Sequence, residues 1–146
     1  TVLVINRRDY SQAEVEDWAS CGNNLSNIKE RIETHYFVVA VNQQSQIVGF
    51  SSITPQGYLH SMFVHKDFQG EGIATMLLEE IERYAITAGI TRITSEVSLT
   101  ARPFFEKKGY VVEKEQKRKA NQLSLTNFLM AKEVAFLEYY NKKVTD

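Results

Sequence analysis

With a single cysteine, Cys21, this chain of 146 residues has no internal disulfide open to it. It has no apolar run near the roughly 18 residues a membrane-crossing helix needs, and no segment with the pattern of a targeting signal. An excess of charge is missing as well. Seventeen Lys and Arg stand against eighteen Asp and Glu, giving a net charge of −1 and a pI of about 6.3. No global field therefore favours nucleic acid or an anionic membrane, and any basic patch must be local. Repeats, low-complexity tracts and linkers are absent too. The expectation is one soluble, cytoplasmic domain spanning residues 1–146, long enough for one substantial core.

What is present is an alternation of elements. Val2 to Asn6 reads as a first strand, and Ser11-Gln12-Ala13-Glu14 as a capping box that opens a helix burying Val15, Trp18 and Ala19. Cys21-Gly22-Asn23-Asn24 stops that helix, and a shorter one is expected near Ile28 to Ile32. Tyr36 to Val41 and Ile47 to Thr54 read as a hairpin joined by Asn42-Gln43-Gln44-Ser45. Pro55-Gln56-Gly57 turns the chain into the strand Leu59 to Val64. Ile73, Leu77, Ile81, Tyr84, Ala85 and Ala88 then recur at helical spacing, with Gly89 as the stop. Arg92 to Val97 is the next strand, Ala101 to Lys108 a short helix, and Tyr110 to Gln116 with Leu123 to Lys132 the last strands. Residues 134–146 are expected to form a terminal helix, or an arm on the second copy of a homodimer.

The richest stretch joins a strand to a helix: Val64-His65-Lys66-Asp67-Phe68-Gln69-Gly70-Glu71-Gly72-Ile73-Ala74-Thr75. At a helix N-terminus the first N–H groups lack intrahelical partners, and the macrodipole presents roughly half a positive charge. Both favour an anion, and Gly70 and Gly72 allow it close to the main chain. The loop lacks the Gly-Lys-Ser/Thr of a P-loop. It also lacks the third glycine of a dinucleotide fingerprint, since Thr75 stands there.

Gln69, Gly72 and Ala74 form the pattern Gln-x-x-Gly-x-Ala, which resembles the acyl-CoA-binding loop of the GNAT superfamily of N-acyltransferases. Leu59-His60-Ser61-Met62-Phe63-Val64-His65 ahead of it and Ala101-Arg102-Pro103-Phe104-Phe105-Glu106-Lys107-Lys108-Gly109-Tyr110 behind extend the resemblance over nearly the whole chain. Together with Leu125-Thr126-Asn127-Phe128-Leu129-Met130, that second segment is similar to a bacterial subgroup of the superfamily. The resemblance implies the GNAT fold, an α+β arrangement with a mixed, mostly antiparallel sheet flanked by helices and splayed fourth and fifth strands. It also implies that pantetheine lies between Tyr58 to Val64 and Arg92 to Val97, against the main chain of Met62, Phe63 and Val64. The pyrophosphate would rest on amides of Gln69, Gly70, Glu71, Gly72, Ile73, Ala74 and Thr75, with Phe104 packing along the cofactor. Glu71 fits only if its carboxylate points to solvent, and Lys66 could offset it.

The activity so implied is direct transfer of an acetyl group from acetyl-CoA to a primary amine of a small molecule, with no metal, nucleic acid or membrane involved. An alkylamine is mostly protonated at neutral pH, so a base contributes roughly 10²–10⁴-fold. His60 is the first candidate, because Leu59 to His65 resembles the His-bearing strand of arylalkylamine acetyltransferases, with Tyr58 where that group has a second histidine. Glu96, near the end of the fifth strand, competes as a base or as an anchor for a cationic substrate. Taken alone, a strand histidine is more often a packed or surface residue, and Glu96 could equally be a solvated charge.

Two departures from the family pattern bear on the mechanism. Ser98 stands where many relatives have Asn, and keeps a hydroxyl able to donate. Phe105 stands where many have the tyrosine that protonates the CoA sulfur. Tyr110, Tyr139 or Tyr140 could replace that phenol, or no acid is used. Trp18, Cys21, Asn24, Tyr36, Phe128 and Tyr139 are candidates for the acceptor pocket, most of them likelier core residues. Two other readings stay open: a non-catalytic acyl-CoA-binding or regulatory module, and transfer to a protein amine.

Overall fold

The computed structural model describes residues 3–6, 34–120 and 123–134. The expected helices around Val15 and Ile28, the candidates Trp18, Cys21, Asn24, Tyr139 and Tyr140, and the expected terminal helix or arm after Val134 lie outside them. In chain order come β1 (Leu3–Asn6), β2 (Tyr36–Val41), β3 (Ile47–Ile53), β4 (Leu59–Val64) and a 3₁₀ turn (Lys66–Phe68). Helix α1 (Ile73–Thr87), β5 (Arg92–Ser98), α2 (Arg102–Lys107), β6 (Val111–Ala120) and β7 (Leu123–Glu133) follow.

The β2–β3 hairpin is set by its turn. Asn42 Oδ1 accepts from the N–H groups of Gln44 and Gln46, both at 3.0 Å, which folds the short loop onto itself. Strand β3 is buried at every position, as expected of a strand covered on both faces. One face receives α1, whose buried stripe is Ile73, Leu77, Leu78, Ile81 and Ala85. The helix seats over Gly49, where a Cβ would lie 2.8 Å from the Phe63 carbonyl and 3.2 Å from Ile73 and Leu77 atoms. On the other face Phe37, Phe50 and Phe63 stack across three strands at 5.4 and 5.6 Å between ring centroids.

The strands form two antiparallel sheets, ordered β1-β2-β3-β4 and β5-β7-β6. They meet at one parallel bridge, Tyr58 to Thr94, where Thr94 N–H donates to the Gly57 carbonyl at 3.0 Å. Gly57 has φ +94°, and a Cβ on it would sit 2.5 Å from the Arg92 carbonyl oxygen. Only glycine permits that approach. Beyond the bridge β4 and β5 diverge, as expected for the fourth and fifth strands. On the far side α2 packs Phe105 into a core with Tyr110, Phe128 and Met130, and the Arg102 guanidinium lies 4.5 Å over the Phe128 ring.

Two features depart from the expected elements. Strand β6 runs to Ala120, beyond the expected Gln116, because its pairing with β7 continues to Ala120 opposite Leu123. Its alternating Glu and Lys hide the strand from a reading based on apolar runs. The 3₁₀ turn also stands where a plain loop was expected, and its signal is the His65-x-Asp67 spacing. His65 Nδ1 accepts from Asp67 N–H at 3.1 Å, a capping role for that histidine.

Candidate active site

The divergence of β4 and β5 opens a cavity of about 910 Å³ that runs from Leu59 and Ser95 to the N-terminus of α1. That is at the large end of ligand sites, roughly 300–1,000 Å³. One wall is the main chain of β4. His65 N–H donates to the Val48 carbonyl at 2.8 Å, so the alternation of an antiparallel ladder turns the Met62 and Val64 N–H groups away from β3 and toward the gap.

At the other end the glycine loop meets α1. Gly70 and Gly72 have φ +79° and +81°, and a Cβ on either would meet nothing within 4 Å. Conformation requires glycine here, and the space beside the main chain stays open. The first helical hydrogen bond runs from Met76 N–H to the Gly72 carbonyl at 3.1 Å. The N–H groups of Gly72, Ile73, Ala74 and Thr75 therefore precede the ladder, at the positive end of the helix dipole. Gln69 holds the loop through its side-chain amide, which donates to the Val64 carbonyl at 2.9 Å. Glu71 is exposed and is not part of the cavity wall, and the first turn of α1 carries no acidic residue. Lys66 is also exposed and outside the wall.

The cavity brings together His60, Glu96 and Ser98 with Met62, Phe63, Val64, Gln69, Gly70, Gly72, Ile73, Ala74, Thr75 and Phe104. His60 sits on a β-bulge, since Ser52 faces Ser61 while Ile53 faces Leu59, leaving one extra residue in β4. Its ring lies 5.4 Å from that of His35 and meets the Tyr58 ring edge-on at 5.7 Å. Glu96 is exposed on the pleat opposite Ser95 and Val97. Ser98 Oγ accepts from Ala101 N–H at 3.1 Å; this helps start α2 and leaves the hydroxyl proton to donate elsewhere. Phe68, Ser95 and Thr100 also line the cavity, and none of them was among the expected site residues.

Three expected candidates lie elsewhere. Tyr110 is buried, and its hydroxyl donates to Glu82 Oε2 at 2.8 Å, where Lys132 also bonds the carboxylate. Burial first, then the Glu82 charge and hydrogen bond, push its pKa far above the ordinary phenol value. It is outside the cavity wall and is no replacement acid. Tyr36 faces α1 instead, stacked on Tyr84 at 3.9 Å and bonded to Glu80 at 2.6 Å. Phe128 belongs to the core under Arg102.

The family model of the acetyltransferase (GNAT) domain matches residues 6–133. The chain belongs to the GNAT acetyltransferase family. It is 30% identical over 130 residues to YafP, an uncharacterized N-acetyltransferase of Escherichia coli strain K12, covering 88% of this chain and 80% of that one. A GCN5-related N-acetyltransferase from Rhodopseudomonas palustris superposes with a TM-score of 0.71 at 29% identity, over 88% and 80% of the two chains. The phosphinothricin acetyltransferase of Sinorhizobium meliloti, solved in complex with acetyl-CoA, shares the fold at a TM-score of 0.77 and 12% identity, over 92% and 89%. As a GNAT family member, the protein is an acyltransferase.

Proposed function

We propose that this protein transfers an acetyl group from acetyl-CoA to a primary amine of a small molecule. The observation that carries the reading is the continuity of one cavity from the uncapped N–H groups of α1 to the bulge at His60. A pyrophosphate at the first end and a thioester at the second match the acyl donor bound by the Sinorhizobium meliloti relative. Backbone amides from Gln69 to Thr75 hold the diphosphate, and Phe104 packs beside the pantetheine. The gap-facing N–H groups of Met62 and Val64 are placed to bond the pantetheine and to stabilise the oxyanion.

In the transfer the amine nitrogen forms a bond to the carbonyl carbon, and the carbon–sulfur bond then breaks to release thiolate. His60 takes the ammonium proton directly or through water, while Glu96 attracts the cationic acceptor and is the competing base. Ser98, on the cavity wall at the end of β5, offers a hydroxyl able to donate to the departing sulfur, as Phe105 has no proton to give. Thiolate is a tolerable leaving group near neutral pH even without such a donor.

Isothermal titration with acetyl-CoA, followed by a panel of small amines with free thiol monitored, tests this. Binding with thiol release supports the reading. Binding with no release from any amine removes the small-amine acceptor, and no binding removes the donor.

A further inference from the structure

Among the described residues, three serines are buried: Ser51, Ser52 and Ser95. All three converge on the residues flanking His60. The Ser51 hydroxyl donates to the Ser61 carbonyl at 2.7 Å, and the Ser52 and Ser61 hydroxyls share a hydrogen bond of 2.7 Å. From across the gap the Ser95 hydroxyl donates to the Leu59 carbonyl at 2.9 Å. A bulge disrupts a ladder and leaves its residues poorly held by backbone bonds, yet here side chains fix both neighbours of the bulged residue.

Ser95 also stands where the sheets part. In a parallel ladder the bond from Thr94 N–H to the Gly57 carbonyl would be followed by one from Glu96 N–H to the Leu59 carbonyl. The Ser95 hydroxyl takes that carbonyl instead. A side chain from β5 thus ends the pairing and satisfies a buried acceptor that the diverging strands would otherwise strand.

We propose that Ser95 is a positioning residue which sets where the gap opens, and with it the depth reached by the acyl end of the donor beside His60. This rests on the reading above that the gap holds pantetheine. Removing the hydroxyl leaves the Leu59 carbonyl buried and unpaired, and the readiest repair draws Glu96 N–H onto it. The gap then closes by one rung, about 3.3 Å of strand, at the thioester end and not at the pyrophosphate end.

The test is isothermal titration of wild type, Ser95→Ala and Ser95→Thr with two probes, acetyl-CoA and 3′-phosphoadenosine 5′-diphosphate. The second probe carries the pyrophosphate without pantetheine. Acetyl-CoA is expected to bind Ser95→Ala at least fivefold more weakly than wild type and Ser95→Thr within twofold of it, with the nucleotide within twofold for all three. If Ser95→Ala does not fold, Ser95→Cys, with a weak donor of similar size, is read the same way. Equal acetyl-CoA affinity in wild type and the variant overturns the positioning role alone, as does equal weakening of both probes. Failure of wild type to bind acetyl-CoA overturns the proposed function and this role with it.

Discussion

The Gln69 side-chain amide reaches back 2.9 Å to the Val64 carbonyl, tying the glycine loop to the last residue of β4. Because this bond holds Gly70 and Gly72 in register with the strand end, Gln69→Ala is expected to weaken acetyl-CoA binding about tenfold, or ~1.4 kcal/mol. Gln69→Glu, which cannot donate, should lose as much. Titration calorimetry measures both, and an unchanged affinity would show that the loop is held without this bond.

Gly72 separates two effects that sequence alone confuses. Its φ of +81° disfavours any side chain, so both Gly72→Ala and Gly72→Asp should lower stability by about 1 kcal/mol. The added Cβ would meet nothing within 4 Å, so alanine is expected to keep measurable acetyl-CoA binding. Aspartate sets a carboxylate beside the N–H groups that would hold the pyrophosphate, and should abolish it. Denaturant midpoints report the first effect and calorimetry the second. Equal binding by the two variants would remove the anion from the loop.

The cluster joining β2 to α1 makes stability depend on pH. Burial alone would raise the Glu80 pKa, but hydrogen bonds from Arg83 and Tyr36 and the Arg83 charge outweigh it and hold the value below the ordinary carboxylate range. The folded pKa is depressed, so the contribution is present above the unfolded value of about 4.3 and is lost as pH falls through the folded one. Tyr36 behaves oppositely. Burial, then the Glu80 hydrogen bond and charge, push its pKa up to about 12, so its contribution is complete below pH ~10 and disappears toward 12. Melting temperatures of wild type and Glu80→Gln should differ at pH 7 and converge below about pH 4. A constant difference across that range would contradict the assignment.

Much of this architecture was legible because local chemistry agreed with the fold. Strand β2 falls on Tyr36–Val41 as expected, and α1 ends beside Gly89, where φ is +80°. The glycine loop was legible for the same reason: Gly70 and Gly72 are needed whatever binds there. What escaped notice depends on contacts distant in sequence. The pairing of Ser95 with Leu59 crosses two sheets, and serine at a strand position carries no signal of its own. The proximity of His35 to His60 likewise arises only once β2, β3 and β4 are assembled. Tyr110 was misplaced as a candidate acid because a phenol near the family's motif looks available until Glu82 is seen to hold it.

The proposed chemistry turns on His60. It occupies the bulge, at the cavity wall, where a proton taken from the acceptor can pass to solvent. His60→Ala is expected to lower kcat/KM for the amine by roughly 10²–10⁴-fold, the usual contribution of a general base, with acetyl-CoA affinity within twofold of wild type. The loss should be greatest near neutral pH and shrink in alkali, where the amine deprotonates unaided. A purely structural role for the imidazole would instead lower the rate by a constant factor at every pH and weaken donor binding as well. Normal turnover of the variant at all pH values would pass the role to Glu96. Glu96→Gln should then show the pH-dependent loss in its place, because the amide keeps the size of the carboxylate and cannot accept the proton.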